Sequence, residues 1–154
     1  MGGFADTKLG KSGFMFDDVI CVTEFLEIYS SRDIVKIVRW LERKHREVIV
    51  PLVKGNKILG MLEEPSGRKA GQIIGRYFVD QYQASLPQTR NLWCTVRWLH
   101  HGALGELLVA RGKKKHKPFI TGLGSGLMVT DLQDKDEWHT SEYSRAKQKL
   151  EKMR

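Results

Sequence analysis

The sequence predicts an α+β domain: helices packed on a mainly antiparallel sheet, with a β-hairpin after the second helix and a helix at the C-terminus. Ile34, Ile37, Val38 and Leu41 recur at helical spacing. Val48–Val53 and Ile58–Leu62 are apolar runs on either side of Lys54-Gly55-Asn56-Lys57, a turn composition, and together they read as a hairpin. Leu104–Arg111, Phe119–Thr121 and Leu127–Thr130 are short apolar runs separated by lysine-rich or glycine-rich segments, the pattern of a meander.

Residues 1–13 hold Gly2, Gly3, Gly10 and Gly13 and read as a flexible N-terminal arm, leaving 14–154 as one α+β domain. Asp17 or Asp18 is placed to cap a first helix over Val19–Tyr29, although Val19-Ile20-Cys21-Val22 also has strand composition. Ser31 is placed to cap a second helix from Arg32 to about His45. In the hairpin that follows, Pro51 argues for an edge strand or a bulge. Ser66 is the expected cap of a third helix reaching about Tyr82, with Ala70, Ile73, Ile74, Tyr77 and Phe78 on its apolar face. Asn91–Leu99 reads as a strand and His100-His101-Gly102 as a turn before the next strand. A charged connector at Gln133–Glu137 leads to a last helix over Trp138–Arg154, with Tyr143, Ala146, Leu150 and Met153 facing inward.

An apolar share of 41% and a charged share of 29% are those of a folded globular chain rather than a disordered one. Lys and Arg number 26 against 18 acidic residues, and the net charge of +8 favours a polyanionic partner. Cys21 and Cys94 both lie in apolar segments and read as buried free thiols of a reducing compartment. No apolar run approaches the about 20 residues needed to span a bilayer, and no secretory signal precedes the domain, so an intracellular location is expected. Met1-Gly2-Gly3 begins like a myristoylation site, but Asp6 stands where Ser or Thr is favoured.

The cations fall into three groups. Arg32, Lys36, Arg39 and Arg43, joined by Lys44, form a stripe on a second face of the Ile34–Leu41 helix, bordered by Trp40. Lys54 and Lys57 sit at the predicted hairpin tip. Arg111, Lys113, Lys114, Lys115 and Lys117 crowd a predicted loop between strands. Lysine is a hydrated point charge, so that loop suits nonspecific phosphate contact, and the arginine-bearing helix is the better recognition element. Trp93 and Arg97 share one face of their predicted strand and read as core or as a base-stacking pair.

The expected function is nonenzymatic binding of nucleic acid, DNA or RNA, through phosphate contacts. A matrix-type structural or assembly protein, homo-oligomeric and bound to anionic membrane, is the first alternative, and a small metal-dependent nuclease the second. No cofactor and no metal are expected. His45, His100, His101, His116 and His139 are scattered without a ligand motif. Asp17, Asp18, Glu24, Glu63, Glu64, Asp80, Glu106 and Asp131 show no spacing that demands one site. Gly122-Leu123-Gly124-Ser125-Gly126 lacks the lysine of a phosphate loop and reads as a flexible turn.

Overall fold

The structure, a computed structural model, describes residues 20–85 and 98–154. Among these residues there is no strand, so the predicted α+β architecture gives way to an all-helical one. Helix α1 spans Val22–Tyr29 and α2 spans Ile34–Lys44. From there a π-helical turn, His45–Ile49, runs straight into α3, Val50–Val53. Next come α4 at Lys57–Met61, α5 at Glu63–Ser85, α6 at His101–Lys114 and α7 at Pro118–Val129. A 3₁₀ turn, Leu132–Glu137, precedes α8 at Ser141–Glu151.

Helix α7 is the centre of the molecule, packed along both α5 and α6. It contains Gly122 to Gly126, expected as a turn between strands and found inside a helix, with Gly122, Leu123, Gly124 and Gly126 buried. Glycine costs about 1 kcal/mol against alanine in a helix interior, so its presence here needs a return in packing. The return is close backbone approach. A Cβ on Gly67 or Gly71 of α5 would overlap the carbonyls of Phe119 and Leu123, and one on Gly122 or Gly126 would overlap those of Glu64 and Arg68. On the other flank, Gly105 of α6 and Gly124 of α7 each occupy the space a Cβ on the other would need. Small residues thus let three backbones meet, which increases dispersion and weak Cα–H···O contact along the whole of α7.

The predicted strand Leu104–Arg111 belongs to α6, because its buried residues recur at helical intervals: Ala103, Leu104, Leu107, Leu108 and Arg111. The predicted hairpin is likewise helical. Pro51 stands at the start of α3 directly after the π-helical turn, so the N–H it lacks falls where the helical ladder is already irregular. Asn56 caps α4 by accepting from Leu59 N at 3.1 Å, after a turn in which Gly55 takes φ +76°. Burial of Ile49 and Leu59 outweighs the strand preference of their β-branched neighbours, since such preferences are worth under about 1 kcal/mol per residue.

Caps move as well. Asp33, not Ser31, caps α2 by accepting from Val35 N at 3.1 Å and Lys36 N at 3.3 Å, and Arg32 lies outside the helix at φ 59°. Ser66 is buried within α5 instead of capping it. Thr140 caps α8, whose buried face is Tyr143, Ala146 and Leu150 as expected; Trp138 is buried ahead of that helix. Cys21 is a free thiol, half-buried rather than buried. The Thr23 hydroxyl at 3.0 Å and the Glu24 backbone N–H hold it below the ordinary thiol range. The N-terminal arm, Asp17, Asp18, Val19, Cys94 and the Trp93–Arg97 pair lie outside the described residues.

Candidate functional site

Helix α2 is amphipathic in the way its spacing predicts. Ile34, Ile37, Val38 and Leu41 are buried, while Lys36, Arg39 and Arg43 are exposed on the other side. Lys44 turns away from that row: it is half-buried, 3.7 Å from Glu24 and 5.5 Å above the Trp40 ring. Arg32 is exposed in the link before the helix.

The lysine cluster is the C-terminal turn of α6 and the link to α7, not a loop between strands. His116 takes φ 57°, Lys117 N donates to Gly112 O at 2.8 Å and His116 N to Lys113 O at 3.4 Å. These paired bonds stop the helix as a glycine at the left-handed position would. Lys113 and Lys114 are exposed, and Lys115 and Lys117 half-buried. Cations suit this place, because the carbonyl end of a helix carries partial negative charge. Pro118 then starts α7 at the position where proline is best tolerated.

Two buried contacts bring the end of α2 and this turn to one corner. Arg111, one of the expected phosphate ligands, is buried; its Nε donates to Glu42 Oε2 at 2.8 Å and its Nη2 to the carbonyl of Arg154 at 3.1 Å. The second contact is His45 Nε2 to Glu63 Oε2 at 2.7 Å, with Glu63 Oε2 also accepting from Phe119 N at 3.4 Å. It ties the end of α2 to the start of α5 and the first turn of α7. The segment between His45 and Glu63 is therefore closed at its base, and it carries exposed Lys54 and Lys57. On the same excursion Val50, Ile58 and Met61 are exposed apolar residues, Ile58 at 68% and Met61 at 73%.

Cations that sequence reasoning did not single out join this corner. Helix α8 packs on α2, and the bond from Arg111 to the Arg154 carbonyl brings exposed Lys149, Lys152 and Arg154 alongside. Their only local signal is basic residues at a helix C-terminus. Among the described residues, Lys36, Arg39, Arg43, Lys113 and Lys114 have no carboxylate within 4.0 Å.

The opposite end of α6, about 20 Å away by helix rise, has the reverse character. Asp131 is buried and accepts from Gly102 N at 2.9 Å and Trp138 Nε1 at 3.0 Å. It caps the start of α6 in place of a neighbouring side chain. Burial pushes its carboxyl above the ordinary range, and burial together with the charge of Asp131 does the same for Asp134. His100 lies beside both carboxylates. His101 stacks on Phe78 at 5.0 Å, and burial lowers its imidazole to about 4. Sequence reasoning missed this cluster because its members come from two segments; the i, i+3 spacing of Asp131 and Asp134 was the one local signal.

No described helix is long and apolar enough to cross a membrane. No family model, curated protein or solved structure matches the chain.

Proposed function

We propose that the protein binds nucleic acid through phosphate contacts at the corner where the exposed row of α2 meets the α6–α7 turn. The ligands are Lys36, Arg39 and Arg43 on one side and Lys113, Lys114, Lys115 and Lys117 on the other, with Lys54 and Lys57 at the margin. The carrying observation is the pair of buried contacts, Arg111 to Glu42 and His45 to Glu63, which fasten both cationic segments to one end of the fold. Clustered fixed cations release condensed counterions from a phosphate backbone on binding, and that entropy gain is independent of base sequence.

The test is fluorescence anisotropy of labelled RNA and duplex DNA across a salt series. With six or more phosphate contacts, affinity falls about 10³-fold or more between 50 and 200 mM salt. Lys114→Ala or Arg43→Ala lowers the salt slope by about one, and Lys135→Ala, near the other end of α6, leaves it unchanged. Affinity independent of salt, or indifferent to both cation deletions, would overturn the reading.

A second reading, anionic-membrane binding by an assembly protein, is favoured by the exposed Ile58 and Met61 beside Lys57. Apolar insertion flanked by lysine suits a phosphatidylserine surface. It predicts vesicle co-sedimentation that Ile58→Ser with Met61→Ser abolishes. The nuclease reading has no such support, because the carboxylate cluster around Asp131 stands about 20 Å from the cationic corner.

A further inference from the structure

We infer that His100, Asp131 and Asp134 form a binding site for one divalent first-row transition ion, at the start of α6. The ligand atoms of these residues all lie within 4.8 Å of one another. His100 Nδ1 stands 3.9 Å from Asp131 Oδ2 and 4.0 Å from Asp134 Oδ2. Those separations exceed the about 3.2 Å limit of a useful hydrogen bond, so the imidazole is aimed at both carboxylates without bonding to either. A cation about 2 Å from each ligand atom sets tetrahedral ligands about 3.3 Å apart, so binding draws the His100 imidazole about half an ångström towards the two carboxylates.

The surroundings hold the ligands in place. Asp131 is fixed by the two bonds that its Oδ2 accepts, from Gly102 N and Trp138 Nε1, so a cation would be taken by the other oxygen of that carboxylate. Glu137 Oε1 faces the other ring nitrogen of His100 at 3.7 Å, the side from which a carboxylate orients a metal-bound imidazole. The positive end of α6 opposes a cation with about half a charge, but the carboxylates of Asp131, Asp134 and Glu137 outweigh it. A nitrogen with two carboxylate oxygens favours zinc, cobalt or manganese over calcium, which takes an all-oxygen shell. His100 and Asp134 are partly exposed, which gives an entry path and leaves coordination positions for water. Bound metal would clip the start of α6 to the Leu132–Glu137 turn.

The experiment is calorimetric titration of zinc into the chelator-treated full chain, repeated with cobalt and followed by its visible absorption. The expected result is one equivalent bound, a melting temperature that rises with free zinc, and at least tenfold weaker binding in both His100→Ala and Asp134→Asn. His139→Ala, at the exposed His139–Glu106 pair, binds as wild type. Loss of the imidazole also changes the cobalt spectrum. Circular dichroism of the two partly exposed variants verifies that they are folded. Absence of a stoichiometric site, or wild-type affinity in either His100→Ala or Asp134→Asn, would overturn the assignment.

Discussion

Arg111 Nε donates to Glu42 Oε2 at 2.8 Å, joining residues on α6 and α2 that are 69 positions apart in the chain. The contact turns one cation of the basic cluster inward and leaves its lysine neighbours outside. Arg111 is thus an anchor for the cationic corner and not one of its exposed cations. Its side chain is 3% exposed and that of Glu42 16%, so the pair lies largely out of water.

Removing one partner of such a pair strands the other. Arg111→Ala is expected to cost about 3–5 kcal/mol in urea unfolding. Arg111→Leu combined with Glu42→Leu should recover much of that loss, since neither charge is then left buried. A cost below about 1 kcal/mol for Arg111→Ala would contradict the burial of the pair.

His45 and Glu63 close the base of the α3–α4 excursion. His45→Ala leaves the Glu63 carboxylate buried without its 2.7 Å partner, so a cost of about 2–4 kcal/mol is expected. His45→Gln, whose amide can still donate to Glu63, should cost less. Thermal or urea unfolding of the two variants side by side measures the difference.

The glycines divide by what a Cβ would meet. At Gly122 it would meet the Glu64 carbonyl, a backbone atom that cannot rotate away, so Gly122→Val is expected to destabilise by about 3 kcal/mol or to prevent folding. At Gly60, on the exposed side of α4, nothing lies within 4 Å, and Gly60→Ala should stabilise by up to about 1 kcal/mol. Opposite signs in chemical denaturation are the expected outcome, and equal effects would contradict the packing of α7.

Asp33 accepts from two backbone N–H groups at the start of α2. Asp33→Ala should cost about 1 kcal/mol and Asp33→Ser only a few tenths. A circular-dichroism melt of each variant checks the cap.

Local pattern was enough for α2 and α8, where Ile34, Ile37, Val38 and Leu41, and Tyr143, Ala146 and Leu150, follow one helical face. It failed at α6 and α7 for a definite reason. Gly105, Gly112, Gly122, Gly124 and Gly126 look like chain breaks, yet they permit close helix contact, a property visible only with the partner helix in place. Val48, Val50 and Val53 misled in the same way: their strand preference is small beside the burial of Ile49 and Leu59. Of the cationic residues, the exposure of Lys36, Arg39, Arg43, Lys113 and Lys114 followed from charge alone. The inward turn of Arg111 depends on Glu42, and the convergence of His100 with Asp131 depends on the docking of α6 on the 3₁₀ turn. Neither dependence leaves a mark within one local segment.

One corner of this fold is proposed to receive the phosphate backbone. Photochemical crosslinking of the wild-type protein to a uridine- or thymidine-containing oligonucleotide, with the attached peptides mapped by mass spectrometry, locates the bound strand. Crosslinks are expected in the exposed part of α2 around Arg39 and Arg43 and in the turn around Lys113 to Lys117. Crosslinks confined to the region of Asp131 to Glu137, or absent at salt concentrations that permit binding, would contradict the proposal.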